Sequence, residues 1–85
     1  MNIYVIDLLF RTFNKEDLIH FKYLYENGEN PLEIISKRIS YIVKRFPTEF
    51  KREETILRLL YHELKSDESR DDYFNEIMKR IDELS

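Results

Sequence analysis

Cysteine is absent from this chain, as are alanine, glutamine and tryptophan, and only one glycine and two prolines occur in 85 residues. Without cysteine there is no disulfide framework, no cysteine-ligated zinc finger and no thiol nucleophile. That composition fits a reducing compartment. Without alanine, and with a single glycine, helices cannot approach closely, so a core must interlock large side chains at ordinary helix spacing. Long apolar runs are also missing. The segment 3–10 is apolar but short, Asp7 interrupts it, and no basic leader or small-residue cleavage site accompanies it. The expectation is a soluble, cytoplasmic chain with no membrane segment.

What is present suits a folded domain. Hydrophobic residues make up 42% of the chain and aromatics 14%, and the charge is mixed, which argues against disorder. The length allows one domain spanning residues 1–85. A chain this size buries only about 60–65% of the surface its unfolded form exposes, so its stability is marginal.

Punctuation falls in three places. Gly28 suits the end of a helix. Asn30, Pro31 and Glu33 then supply a cap, a first-turn proline and a capping-box partner. Pro47 biases Phe46 away from helix, and Thr48 offers the next cap. Ser69 and Asp72 repeat the capping-box spacing.

Between these marks apolar residues recur with helical period. Residues 15–27 carry Leu18, Phe21, Leu24 and Tyr25, and residues 31–46 carry Leu32, Ile35, Ile39, Ile42, Val43 and Phe46. Residues 49–65 carry Phe50, Leu57, Leu60, Tyr61 and Leu64, and residues 70–84 carry Phe74, Ile77, Met78, Ile81 and Leu84. For residues 2–13, Ile3, Ile6, Phe10 and Phe13 fit one helical face. The same segment has strand propensity, but a lone strand would leave its backbone groups unpaired. A helix is expected there, with a dimerising strand as the alternative. The fold class predicted is all-α, a compact bundle of four to five short helices with short loops.

Charge is segregated. Residues 1–33 hold three bases and six acids, residues 34–62 seven bases and three acids, and residues 63–85 four bases and eight acids. The segment charges are −3, +4 and −4, giving −3 for the chain. Lys-Arg pairs recur every seven residues: Lys37-Arg38, Lys44-Arg45 and Lys51-Arg52, with Arg58 one step further. Seven residues are nearly two helical turns, so equivalent bases align. Ile34 and Tyr41 fall on the basic side of the 31–46 helix and give the strip an apolar seam. Pro47 divides the strip between two helices. On the second helix Lys51, Arg58, His62 and Lys65 line one flank, while Ile56 and Leu59 lie outside its main apolar arc.

The chemistry-bearing motifs are incomplete. His62-Glu63 begins like a zinc-protease helix but lacks the second histidine. Asp67, Ser69 and Asp71 imitate a calcium loop, but Asp72 stands where glycine is needed and Met78 where glutamate is needed. No cofactor, metal or catalytic residue is predicted, and the chain is read as a non-enzyme. The expected function is a small interaction protein, an adaptor, inhibitor or regulator. It would bind a protein or protein–nucleic acid complex through Lys37, Arg38, Tyr41, Lys44, Arg45, Lys51, Arg52 and Arg58. The alternative is an RNA- or DNA-binding module using the same strip. Homo-oligomer or partner contact through Ile34, Ile56 and Leu59, together with Tyr41, is a further option. A solvated helix side paired with neighbouring acids would explain the same pattern without any partner.

Overall fold

Asparagine starts each of the first three helices. The computed structural model describes residues 1–84, and of residues 67–69 the backbone alone. Five helices are present among them: α1 (Ile3–Thr12), α2 (Lys15–Glu26), α3 (Pro31–Arg45), α4 (Lys51–Leu64) and α5 (Asp67–Glu83). The Oδ1 atoms of Asn2, Asn14 and Asn30 accept from the backbone N–H groups of Tyr4 (3.1 Å), Asp17 (2.8 Å) and Leu32 (2.8 Å). Each satisfies a donor that the first turn leaves without a helical partner. At Asn30 the cap acts alone, since no return bond from Glu33 is present among the described residues.

Gly28 ends α2 with φ at 88°. Its N–H donates to the Tyr25 carbonyl at 3.0 Å, and the N–H of Glu29 donates to that of Leu24 at 3.2 Å. This pair of bonds is the Schellman closure, which needs a left-handed residue at the position glycine fills.

Two boundaries differ from the sequence reading. Thr48 does not cap α4, which starts at Lys51 with Phe50 at its N-cap position and no side-chain cap. Residues 47–49 form a turn instead, bracketed by Phe46 and Phe50, whose rings pack edge to face at 5.0 Å. At the third boundary the backbone of residue 69 is already helical, and Ser66 occupies the N-cap position of α5. The side chains of the Ser69 capping box and of the calcium-like residues 67 and 69 lie outside the described residues. The N-terminal segment is a helix, and no strand occurs among the described residues.

Central α4 packs against α1, α3 and α5, and α2 closes the other side against α3 and α5. The globule measures 31 × 29 × 26 Å. Leu57, Leu60 and Leu64 of α4 are fully buried, surrounded by Val5, Ile6 and Leu9 of α1 and by Phe74, Ile77 and Ile81 of α5 within one hydrophobic cluster. Because α4 is covered by three helices, its apolar arc is wide enough to include Ile56, which is 4% exposed. Ile34 is buried for a similar reason: α3 packs on two sides, and Ile34 turns towards Phe21 and Leu24 of α2. Both residues, expected at a partner surface, therefore belong to the core.

Conversely, Ile3, Val43, Phe50 and Leu84 were assigned inward by periodicity and are exposed. Tyr73, which the apolar pattern did not single out, is fully buried. Its hydroxyl accepts from the Asn2 backbone N–H at 2.6 Å, tying the start of α1 to α5. Burial pushes the Tyr73 phenol above its ordinary range, with Glu63 reinforcing the rise and the Asn2 bond opposing it.

Ion pairs fasten the helices from outside. Arg80 Nη1 donates to Asp7 Oδ1 at 2.6 Å, joining α5 to α1, and Lys22 pairs with Asp82 between α2 and α5. No helix among the described residues is long and apolar enough to cross a membrane.

Candidate functional site

The Lys-Arg strip is divided by its partners. Midway along α3, Lys37 Nζ lies 3.2 Å from Glu29 and Arg38 Nη2 3.2 Å from Asp17. Neither Lys44 nor Arg45 has an ion pair among the described residues. On α4, Lys51 and Arg58 converge on Glu54, at 3.8 and 2.9 Å. The Arg58 hydrogen bond holds the Glu54 carboxyl below the usual carboxylate range, with Lys51 adding to the effect and partial burial opposing it.

Tyr41 sits among the bases and is 45% exposed. The guanidinium carbons of Arg38 and Arg45 lie 5.6 and 5.7 Å from its ring centroid, one on the preceding turn and one on the following turn. Both distances are within cation–π range. The aromatic surface continues from there. Tyr41 and Phe46 have ring centroids 5.9 Å apart, and Phe46 and Phe50 follow at 5.0 Å. Three rings therefore run from the outer face of α3 across the Pro47 turn to the start of α4. They border a cleft of about 360 Å³ that reaches the α1–α2 corner at Thr12 and Asn14. Two polar atoms at its edge, Thr12 Oγ1 and Arg38 Nε, are buried without a hydrogen-bond partner.

The seam of the basic face is therefore Tyr41–Phe46–Phe50, and Ile34 is no part of it. Phe46 and Phe50 were placed in the core because they match the helical period. The turn at Pro47 takes both out of helical register, and the Phe-Pro-Thr-Glu-Phe run flanking that proline was the available signal.

The other side of α3 faces α4. At about 100° per residue, Ser36, Ser40, Val43 and Lys44 lie on this side. Lys51, Arg58 and Lys65, again seven apart, share one line on α4, and of these Arg58 and Lys65 border α3. The two flanks meet in a groove of about 590 Å³ lined by Lys44, Arg58, His62 and Lys65 over Ile39, Val43 and Tyr61. The basic segments on either side of Pro47 thus converge here. Arg52 does not join them: it shares a line on α4 with Leu59, which is 45% exposed on a different flank. Of the residues read as oligomer contacts, Tyr41 and Leu59 are at the surface, and Ile34 and Ile56 are buried.

No protein-family model, curated protein or solved structure matches the chain.

Proposed function

We propose that this chain is a small interaction protein acting by binding rather than catalysis. Its docking face is the corner formed by Tyr41, Phe46 and Phe50 with Arg38 and Arg45, and its partner is a protein surface carrying carboxylates beside an apolar pocket. The observation that carries this reading is the exposed ring of Tyr41 held between two guanidinium groups. Tyrosine and arginine are the residue types in which binding energy concentrates at protein interfaces. Ring contacts, edge to face between Phe46 and Phe50 and tilted between Tyr41 and Phe46, order the rings before binding, which lowers the entropy lost on association.

A nucleic-acid module along the whole strip is the rival reading. Four of its cations, Lys37, Arg38, Lys51 and Arg58, are engaged by Glu29, Asp17 and Glu54, and the chain carries net −3. Dedicated nucleic-acid binders are more often basic. The protein reading therefore has the better support.

Affinity capture with the wild-type chain and a Tyr41→Ala/Phe50→Ala variant tests it. Proteins recovered by the wild type and lost by the variant are expected. An identical set recovered by both would rule out this face as the docking surface.

A further inference from the structure

We infer that the α3/α4 groove is a binding site for a small phosphate-bearing molecule. The inference stands apart from the docking face: the groove and the aromatic corner occupy different sides of α3, with Lys44 at the border between them.

Charge complementarity comes first. Lys44 from α3 and Arg58 and Lys65 from α4 line the groove, and none of its lining residues is acidic. Among the described residues Lys44 and Lys65 have no ion pair, and Lys65 Nζ rests 5.5 Å from the Tyr61 ring centroid. Glu54 lies just outside the lining and fixes Arg58 through its Nε. That bond orients the guanidinium and leaves its two Nη amino groups for an anion, the planar fork that suits phosphate oxygens. The Ser40 hydroxyl adds a neutral donor, and the His62 ring a further nitrogen donor.

The second argument is shape. A volume of about 590 Å³ falls in the range of small-molecule sites, roughly 300–1,000 Å³. Its floor is apolar, and Val43 is left 42% exposed there. Cations above an apolar floor fit a phosphate group attached to an organic body. A nucleic-acid strand is the poorer fit, because the cations that precede Lys44 on α3, Lys37 and Arg38, are paired with Glu29 and Asp17.

The test is a ¹H–¹⁵N NMR titration of the whole chain in about 50 mM salt with two probes, inorganic pyrophosphate and ADP. Saturable shifts confined to residues 36–44 and 58–65 are expected. Response to pyrophosphate alone identifies a free inorganic phosphate site, and response to ADP a nucleotide-sized one. A Lys44→Gln/Lys65→Gln variant should bind at least about tenfold more weakly, since charged hydrogen bonds are lost. Both lysines are exposed, so its fold should be retained, as its own spectrum will show. Tyr41→Ala should leave the titration unchanged, which separates this site from the docking face. The inference is overturned if neither probe gives saturable shifts by about 10 mM, or if shifts spread equally to Lys15, Arg52 and Lys79. Thymidine oligonucleotides that bind the groove residues with affinity rising steeply with length would also overturn it, in favour of a nucleic-acid surface.

Discussion

The guanidinium of Arg38 lies 5.6 Å from the ring centroid of Tyr41 while its Nη2 donates to Asp17 on α2. Arg38 thereby anchors an exposed aromatic ring to the neighbouring helix. Because Tyr41 remains 45% exposed, its removal should cost the fold little. Tyr41→Ala is expected to lower unfolding free energy by no more than about 1 kcal/mol, the scale of exposed cation–π contacts. Urea denaturation gives this number directly, and a loss several times larger would mean that Tyr41 is a structural residue.

Neighbouring positions on α4 should behave in opposite ways. Leu60 is fully buried and Leu59 is 45% exposed. Leu60→Ala is predicted to cost about 2–5 kcal/mol through lost burial and a residual cavity, whereas Leu59→Ala should stay within about 0.5 kcal/mol. Ile34→Ala belongs with Leu60, since Ile34 is 3% exposed. Equal midpoints for the Leu59 and Leu60 variants in denaturant would contradict the packing described for α4.

Tyr73→Phe removes the acceptor of the Asn2 N–H at the start of α1. A loss of about 1 kcal/mol is expected, with faster amide exchange at residues 2–5, because a partly buried donor loses its partner. Unchanged stability together with unchanged exchange would show that the bond contributes nothing.

Gly28 adopts φ of 88°, and a Cβ built there meets nothing within 4 Å. Any penalty for Gly28→Ala is therefore one of backbone conformation, about 1–2 kcal/mol for the left-handed region. Gly28→Asn should cost less, since asparagine tolerates that region. Thermal unfolding of the two variants should rank them in that order, and the reverse order would argue against the Schellman ending of α2.

Arg58, with help from Lys51, favours the ionised form of Glu54 and so lowers its pKa. For a carboxyl whose folded pKa is lowered, the associated stability is present above the unfolded value. It is lost as pH falls through the folded one. The Glu54 carboxyl carbon should titrate by NMR below the ordinary glutamate value of about 4.3. Arg58→Gln should move its midpoint upward. A midpoint that does not respond to this change would mean that the pair at 2.9 Å does not persist in solution.

The local decisions of this fold were legible in the residues. Asn30 caps a helix, Gly28 ends one, and Pro47 divides the basic strip, because each acts on backbone groups within a few residues of itself. The 3.6-residue period likewise identified Leu57, Leu60 and Leu64 as one inward face. Tertiary structure decided what each remaining face meets. Ile34 and Ile56 lie off the main apolar arcs of their helices. Both are buried because α3 packs on two sides and α4 on three, which widens the arc removed from water. Phe46 and Phe50 fit a helical period yet form a surface seam, since the turn between them breaks the register that the period assumes. The heptad of Lys-Arg pairs was plain in the sequence, but the meeting of Lys44 with Arg58 and Lys65 across one groove depended on how α3 lies against α4. Periodicity fixes angles about a single helix axis, and only the packing of two axes sets which flanks face each other.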